Sequence, residues 1–144
     1  MKFSQTVNKV LALSQAIRDY WSVELPKRHP NYPFVNEGDE DGPPPPEQKK
    51  LTKLLASLSE DDIYKIALIT RYSRGYSGKK CPTDYLEEVK QWYETPEEAA
   101  LLMAESPALA GELSYGLEEL KTAGYDVDYL TLTPSIQADK TAKR

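Results

Sequence analysis

The sequence contains one cysteine and one histidine, and this scarcity excludes several chemistries at once. Cys81 has no partner for an intrachain disulfide. Together with His29 it falls short of a structural zinc site, which needs several Cys or His ligands. Long apolar runs are missing as well. The longest, such as Ala99 to Ala104, are far below the roughly 18 residues of a membrane span. The chain enters an amphipathic pattern directly, with neither a signal-type apolar region nor a small-residue cleavage site. A cytoplasmic protein with no membrane partner is therefore expected. An excess of positive charge is also absent: 18 Lys and Arg stand against 23 Asp and Glu, a net charge of -5. That balance disfavours a general nucleic-acid binder, which is normally basic, while leaving room for a local basic patch.

What is present fits a folded domain. A chain of 144 residues suggests one domain, and a compact fold of that size buries roughly 68–70% of its unfolded surface. Val7, Val10, Leu11, Ser14, Ile17 and Trp21 recur at three- and four-residue steps, which predicts a first helix from about Ser4 to Val23. Pro26, Pro30 and Pro33 are expected to forbid regular structure after it. Residues 24–46 then read as a long linker. Its first half is basic and aromatic (Lys27, Arg28, His29, Tyr32, Phe34); its second is acidic (Glu37, Asp39, Glu40, Asp41) and closes on Pro43 to Pro46. Such a proline run favours polyproline II, and loops of this length are usually functional or disordered.

Residues 47–133 carry the remaining helical signals. Leu51, Leu54, Leu55 and Leu58 mark helix two, about Glu47 to Ser57. Ser59-x-x-Asp62 is a variant capping box before Ile63, Ile66, Ala67, Ile69, Thr70 and Tyr72. Apolar residues spread round most of that third helix, as expected of a central element, and Gly75 and Gly78 should end it. Thr83 or Asp84 can cap a fourth helix with Tyr85, Leu86, Val89, Trp92 and Tyr93 on its apolar face. Thr95-Pro96-Glu97-Glu98 opens a short fifth. Ser106-Pro107 should open the sixth, with Leu109, Leu113, Leu117 and Leu120 on one stripe and Gly124 as its stop. Tyr125 to Leu132 alternates only loosely, a weak strand signal. Residues 134–144 read as a frayed polar tail. The expected fold is all-α: a compact bundle of five to six helices, with residues 1–23 as an N-terminal amphipathic helix that docks on the bundle or on another molecule.

Five features invite a functional reading. Arg71, Arg74, Lys79 and Lys80 surround Gly75 and Gly78, and glycine N–H groups beside cations can cradle a phosphate. A P-loop is not formed, because Ser73 and Lys80 occupy positions that require Gly and Ser/Thr, and a helix precedes instead of a strand. The Gly75-x-x-Gly78 spacing is that of a KH-domain loop, without the sheet such a domain needs. The competing reading is a solvated helix C-terminus whose dipole favours cations. Glu37-x-Asp39-x-Asp41-Gly42 outlines half a calcium loop, but Gln48 replaces the bidentate Glu and prolines fill the middle. Tyr32, Phe34 and the proline run can dock on a partner as extended chain or pack across the protein's own helices. Cys81 and His29 would need to meet in space to act as nucleophile and base. Ten tyrosines beside two phenylalanines suit half-wet surfaces such as interfaces, although Tyr64, Tyr72, Tyr85, Tyr93 and Tyr115 sit at helical positions compatible with a core.

Residues 51–130 also resemble a small bacterial all-α domain family of unknown function. The resemblance rests on the order of Leu58-Ser59-Glu60-Asp61-Asp62, Arg74-Gly75, Tyr85-Leu86-Glu87-Glu88, Ser106-Pro107-Ala108-Leu109-Ala110 and Gly116-Leu117-Glu118-Glu119-Leu120. It implies a bacterial helical module and transfers no catalytic residue. The expected function is a non-enzymatic helical protein-interaction module, adaptor or regulatory, with an unidentified protein partner and no cofactor or metal. The alternatives are a binding protein or enzyme acting on an anionic ligand near Arg74 and Lys79, and a nucleic-acid accessory factor using the same corner.

Overall fold

The computed structural model describes residues 2–35, 38, 40, 42–74 and 81–132. Gly75, Gly78, Lys79 and Lys80, the acidic positions Glu37, Asp39 and Asp41, and the tail 134–144 lie outside the described residues. Among the described residues the chain forms six α-helices and no strand: α1 (Phe3–Arg28), α2 (Pro46–Ser57), α3 (Glu60–Tyr72), α4 (Leu86–Trp92), α5 (Pro96–Glu105) and α6 (Leu109–Thr122). Short 3-10 turns at Pro82–Tyr85 and Val127–Tyr129 complete it. The second of these occupies the segment whose alternation hinted at a strand.

Local chemistry explains the starts of α3 and α5. Ser59 accepts the Asp62 N–H at 3.1 Å, while Glu60, Asp61 and Asp62 complement the positive end of α3. Thr95 accepts the Glu98 N–H at 3.0 Å, Pro96 sits where no N–H is needed, and Glu98 reaches back to the Glu94 N–H at 2.8 Å. Three expected boundaries are different. Helix α1 continues through Pro26 to Arg28. Proline this near a C-terminus removes one donor, and the last turn keeps the bond from His29 N–H to Leu25 O at 2.9 Å. Lys27 and Arg28 also reach Glu24, at 3.5 and 3.3 Å, and suit the negative end of the dipole. Helix α6 starts at Leu109, because the Ser106 hydroxyl accepts from Ala108 N–H at 3.2 Å and holds 106–108 as a turn. Neither Thr83 nor Asp84 caps α4; the chain enters it through the 3-10 turn, where Asp84 N–H bonds Cys81 O at 2.9 Å.

Helix α3 is the central element. Ile66, Ala67, Leu68 and Ile69 are consecutive and fully buried, so every face of the helix is covered. It packs against α4, α5 and α6. Gly116 of α6 permits its closest crossing: a Cβ there would run into the Ile69 carbonyl oxygen and lie 2.8 Å from Ile69 Cγ2. Helix α1 is part of the same bundle. It packs on α2 and α6, with Val7 and Val10 fully buried. Its first turn is held from the far end of the chain: Asp128 accepts from Ser4 N–H at 2.8 Å and from Ser4 Oγ–H at 3.0 Å.

These two bonds hold the Asp128 carboxyl below its ordinary value of 3.8. Because the folded-state pKa is the lower one, the stabilisation is complete above pH 3.8 and is lost as pH falls through the depressed value. Acid titration of stability, followed by circular dichroism, should therefore show a steeper loss for the wild type than for Asp128→Asn. Equal slopes would mean that the contact is not maintained in solution.

Candidate functional site

The two arginines of the basic corner are brought to neighbouring positions, and each already faces a carboxylate. Arg71 Nε–H donates to Glu88 Oε2 at 2.6 Å, joining α3 to α4, and its guanidinium lies 4.1 Å from the centre of the Tyr85 ring. Arg74 Nε–H donates to Glu112 Oε2 at 2.8 Å, reaching α6, and its guanidinium lies 4.9 Å from the Trp92 ring centre. Chemically this is a pair of tertiary clamps. An external anion would have to compete with Glu88 and Glu112 for the same donors. Arg71 is the more sheltered, its side chain 18% exposed against 51% for Arg74. Arg71→Ala should cost about 1–2 kcal/mol of stability and Arg74→Ala under about 1 kcal/mol, read from urea denaturation. The reverse order would place the principal clamp on α6.

The linker aromatics are displayed outward. Tyr32 and Phe34 are exposed, Phe34 by 79%. The linker itself is anchored at both ends. His29 is buried, the Tyr20 hydroxyl donates to Pro43 O at 2.9 Å, and Arg28 covers Gly42, whose φ of +93° suits glycine. The peptide bond between Tyr32 and Pro33 is cis. The segment has anchored ends, with Tyr32 and Phe34 exposed between them.

Two clefts lie along the seam between α2 and α5, which sequence reasoning did not single out. The first, about 220 Å³, is lined by Thr52, Leu55, Ala56 and Leu58 of α2 and its exit, by Glu60 and Ile63 of α3, and by Pro96, Glu97, Ala100 and Leu101 of α5. The second, about 290 Å³, lies between Ile17, Arg18, Trp21 and Leu25 of α1, the linker residue Tyr32, Gln48 and Leu51 of α2, and the turn from Ala104 to Pro107. At that end the Gln48 amide donates to Ala104 O at 2.8 Å. Leu101, on the wall of the first cleft, is 51% exposed. The only sequence signal for it was the run Ala99 to Leu102, where apolar residues outnumber what one buried stripe of a short helix can accommodate.

Cys81 sits elsewhere. Its Sγ is 3.4 Å from Thr83 Oγ1, and the Tyr125 phenol beside it is pushed up to about 12, by burial first and then by the thiol. A phenol holding its proton that firmly is no general base near neutral pH. Among the described residues no group of three His, Cys, Asp or Glu side chains could hold a metal ion, and no helix is long and apolar enough to cross a membrane. Of the tyrosines, Tyr64, Tyr72 and Tyr85 are core, while Tyr115 is 56% exposed. Comparison with protein-family models, with curated proteins and with solved structures gave no match, so the family resemblance of residues 51–130 rests on the order of its short motifs alone.

Proposed function

We propose that this chain is a non-enzymatic helical module that binds a partner protein in the bacterial cytoplasm, in an adaptor or regulatory role. The observation that supports it is the face bearing Leu101: a large aliphatic side chain, 51% exposed, bordering an open cleft on the same seam as a second one. Apolar surface arranged around concavities and rimmed by charge is the usual form of a protein interface. The exposed linker residue Tyr32 extends that surface, since it forms one wall of the second cleft. The reading in which an anionic ligand binds near Arg74 and Lys79 is weaker, because Glu112 already occupies the Arg74 guanidinium.

The test is affinity capture from native lysate at low salt, with wild type and Leu101→Asp in parallel and a nucleic-acid assay on both eluates. A protein captured in comparable amount by the wild type and lost with Leu101→Asp supports the module and its face. Nucleic acid alone, or a clean eluate, rejects the reading.

A further inference from the structure

We infer that the α2–α5 seam receives one amphipathic helix of the partner protein, with two large apolar residues two turns apart and lysine or arginine beside the one that enters the first cleft. This rests on the interaction reading above and specifies the occupant of that same face.

The geometry supports a helix. The two clefts lie at opposite ends of antiparallel α2 and α5: Gln48 meets Ala104 at one end, while Thr52 to Leu58 face Pro96 to Leu101 at the other. The α5 residues lining one cleft are centred about six positions from those lining the other, roughly 9 Å along the axis at 1.5 Å per residue. On a helix, side chains at i and i+7 lie about 10.5 Å apart on one face. Volumes of about 220 and 290 Å³ each have room for one bulky side chain. Leu101 lines the first cleft and is exposed beside it. Strand addition has no template, because no sheet edge is present among the described residues.

Charge then selects the flank. Glu60 and Glu97 both line the first cleft, and among the described residues neither has a Lys or Arg within ion-pairing distance. Burial first, and then both carboxylates, push the Tyr64 phenol up. A cation on the partner helix satisfies them. The second cleft is mixed, with Arg18 and Glu105 on its rim, and sets no such requirement.

The test uses the full chain and two synthetic 18-residue helical peptides. Both carry leucine at i, i+3 and i+7; one has lysine flanks and the other glutamate flanks. Fluorescence anisotropy should show the lysine-flanked peptide binding about tenfold tighter or more. Leu101→Asp, and independently Ala56→Phe, which fills the first cleft from its exposed edge, should each weaken it about tenfold. Glu60→Lys combined with Glu97→Lys should reverse the preference, and thermal melts confirm that each variant is folded. Equal binding of both peptides, preference for glutamate flanks, or amide shifts away from α2 and α5 overturns the proposal. So does self-association in sedimentation that Leu101→Asp abolishes, since a second copy would then be the occupant. Leu101-dependent capture of a partner, with neither peptide binding, refutes the helix while the interaction reading stands. Peptide binding with no partner captured supports the groove and rejects the interaction reading.

Discussion

Gly116→Ala is expected to destabilise the protein by about 3 kcal/mol, which for a chain of this size lowers Tm by about 10 °C. The sign is the informative part. Alanine in place of glycine inside a helix ordinarily stabilises by about 1 kcal/mol, because it reduces the backbone entropy lost on folding. Here the added methyl group meets Ile69, whose carbonyl oxygen and Cγ2 already occupy its place. A side-chain tip could rotate away. The carbonyl belongs to the backbone of α3 and moves only if the two helices separate. Separation would loosen contacts at Ile69 and Leu113, both fully buried. Urea and thermal denaturation measure the effect, and a variant more stable than wild type would show that α3 and α6 do not cross this closely.

Val10→Asp should cost about 4 kcal/mol, because it places an uncompensated carboxylate where no water reaches. Val10 is fully buried within the common core, on the face of α1 that meets α2 and α6. The variant tests whether the first helix is integral to the bundle. A detachable arm would tolerate the change within about 0.5 kcal/mol, as exposed positions do. Hydrogen exchange adds a second readout: protection in the variant should fall along α1 and across α2, not at the N-terminus alone.

The sequence by itself determined where most helices begin and what they turn inward. The Ser59 and Thr95 caps act over three residues, and the leucines at 109, 113 and 120 repeat at helical steps and are buried. Such signals are local, so a single chain read linearly contains them. The same local rules misplaced the end of α1 at about Val23, ahead of Pro26, and the start of α6 at Ser106-Pro107. There a retained last turn, and a hydroxyl bonded two residues ahead, outweighed the proline signal.

Only the tertiary structure decided what the charged and aromatic residues do. Arg71 and Arg74 meet carboxylates 17 and 38 positions away, and Ser4 meets Asp128 across 124. No periodicity encodes those pairings, because they depend on how helices cross. The same holds for Tyr72, which is buried, and Tyr115, which is exposed. It holds most of all for the clefts beside Leu101, since a groove belongs to two helices at once and is written in neither.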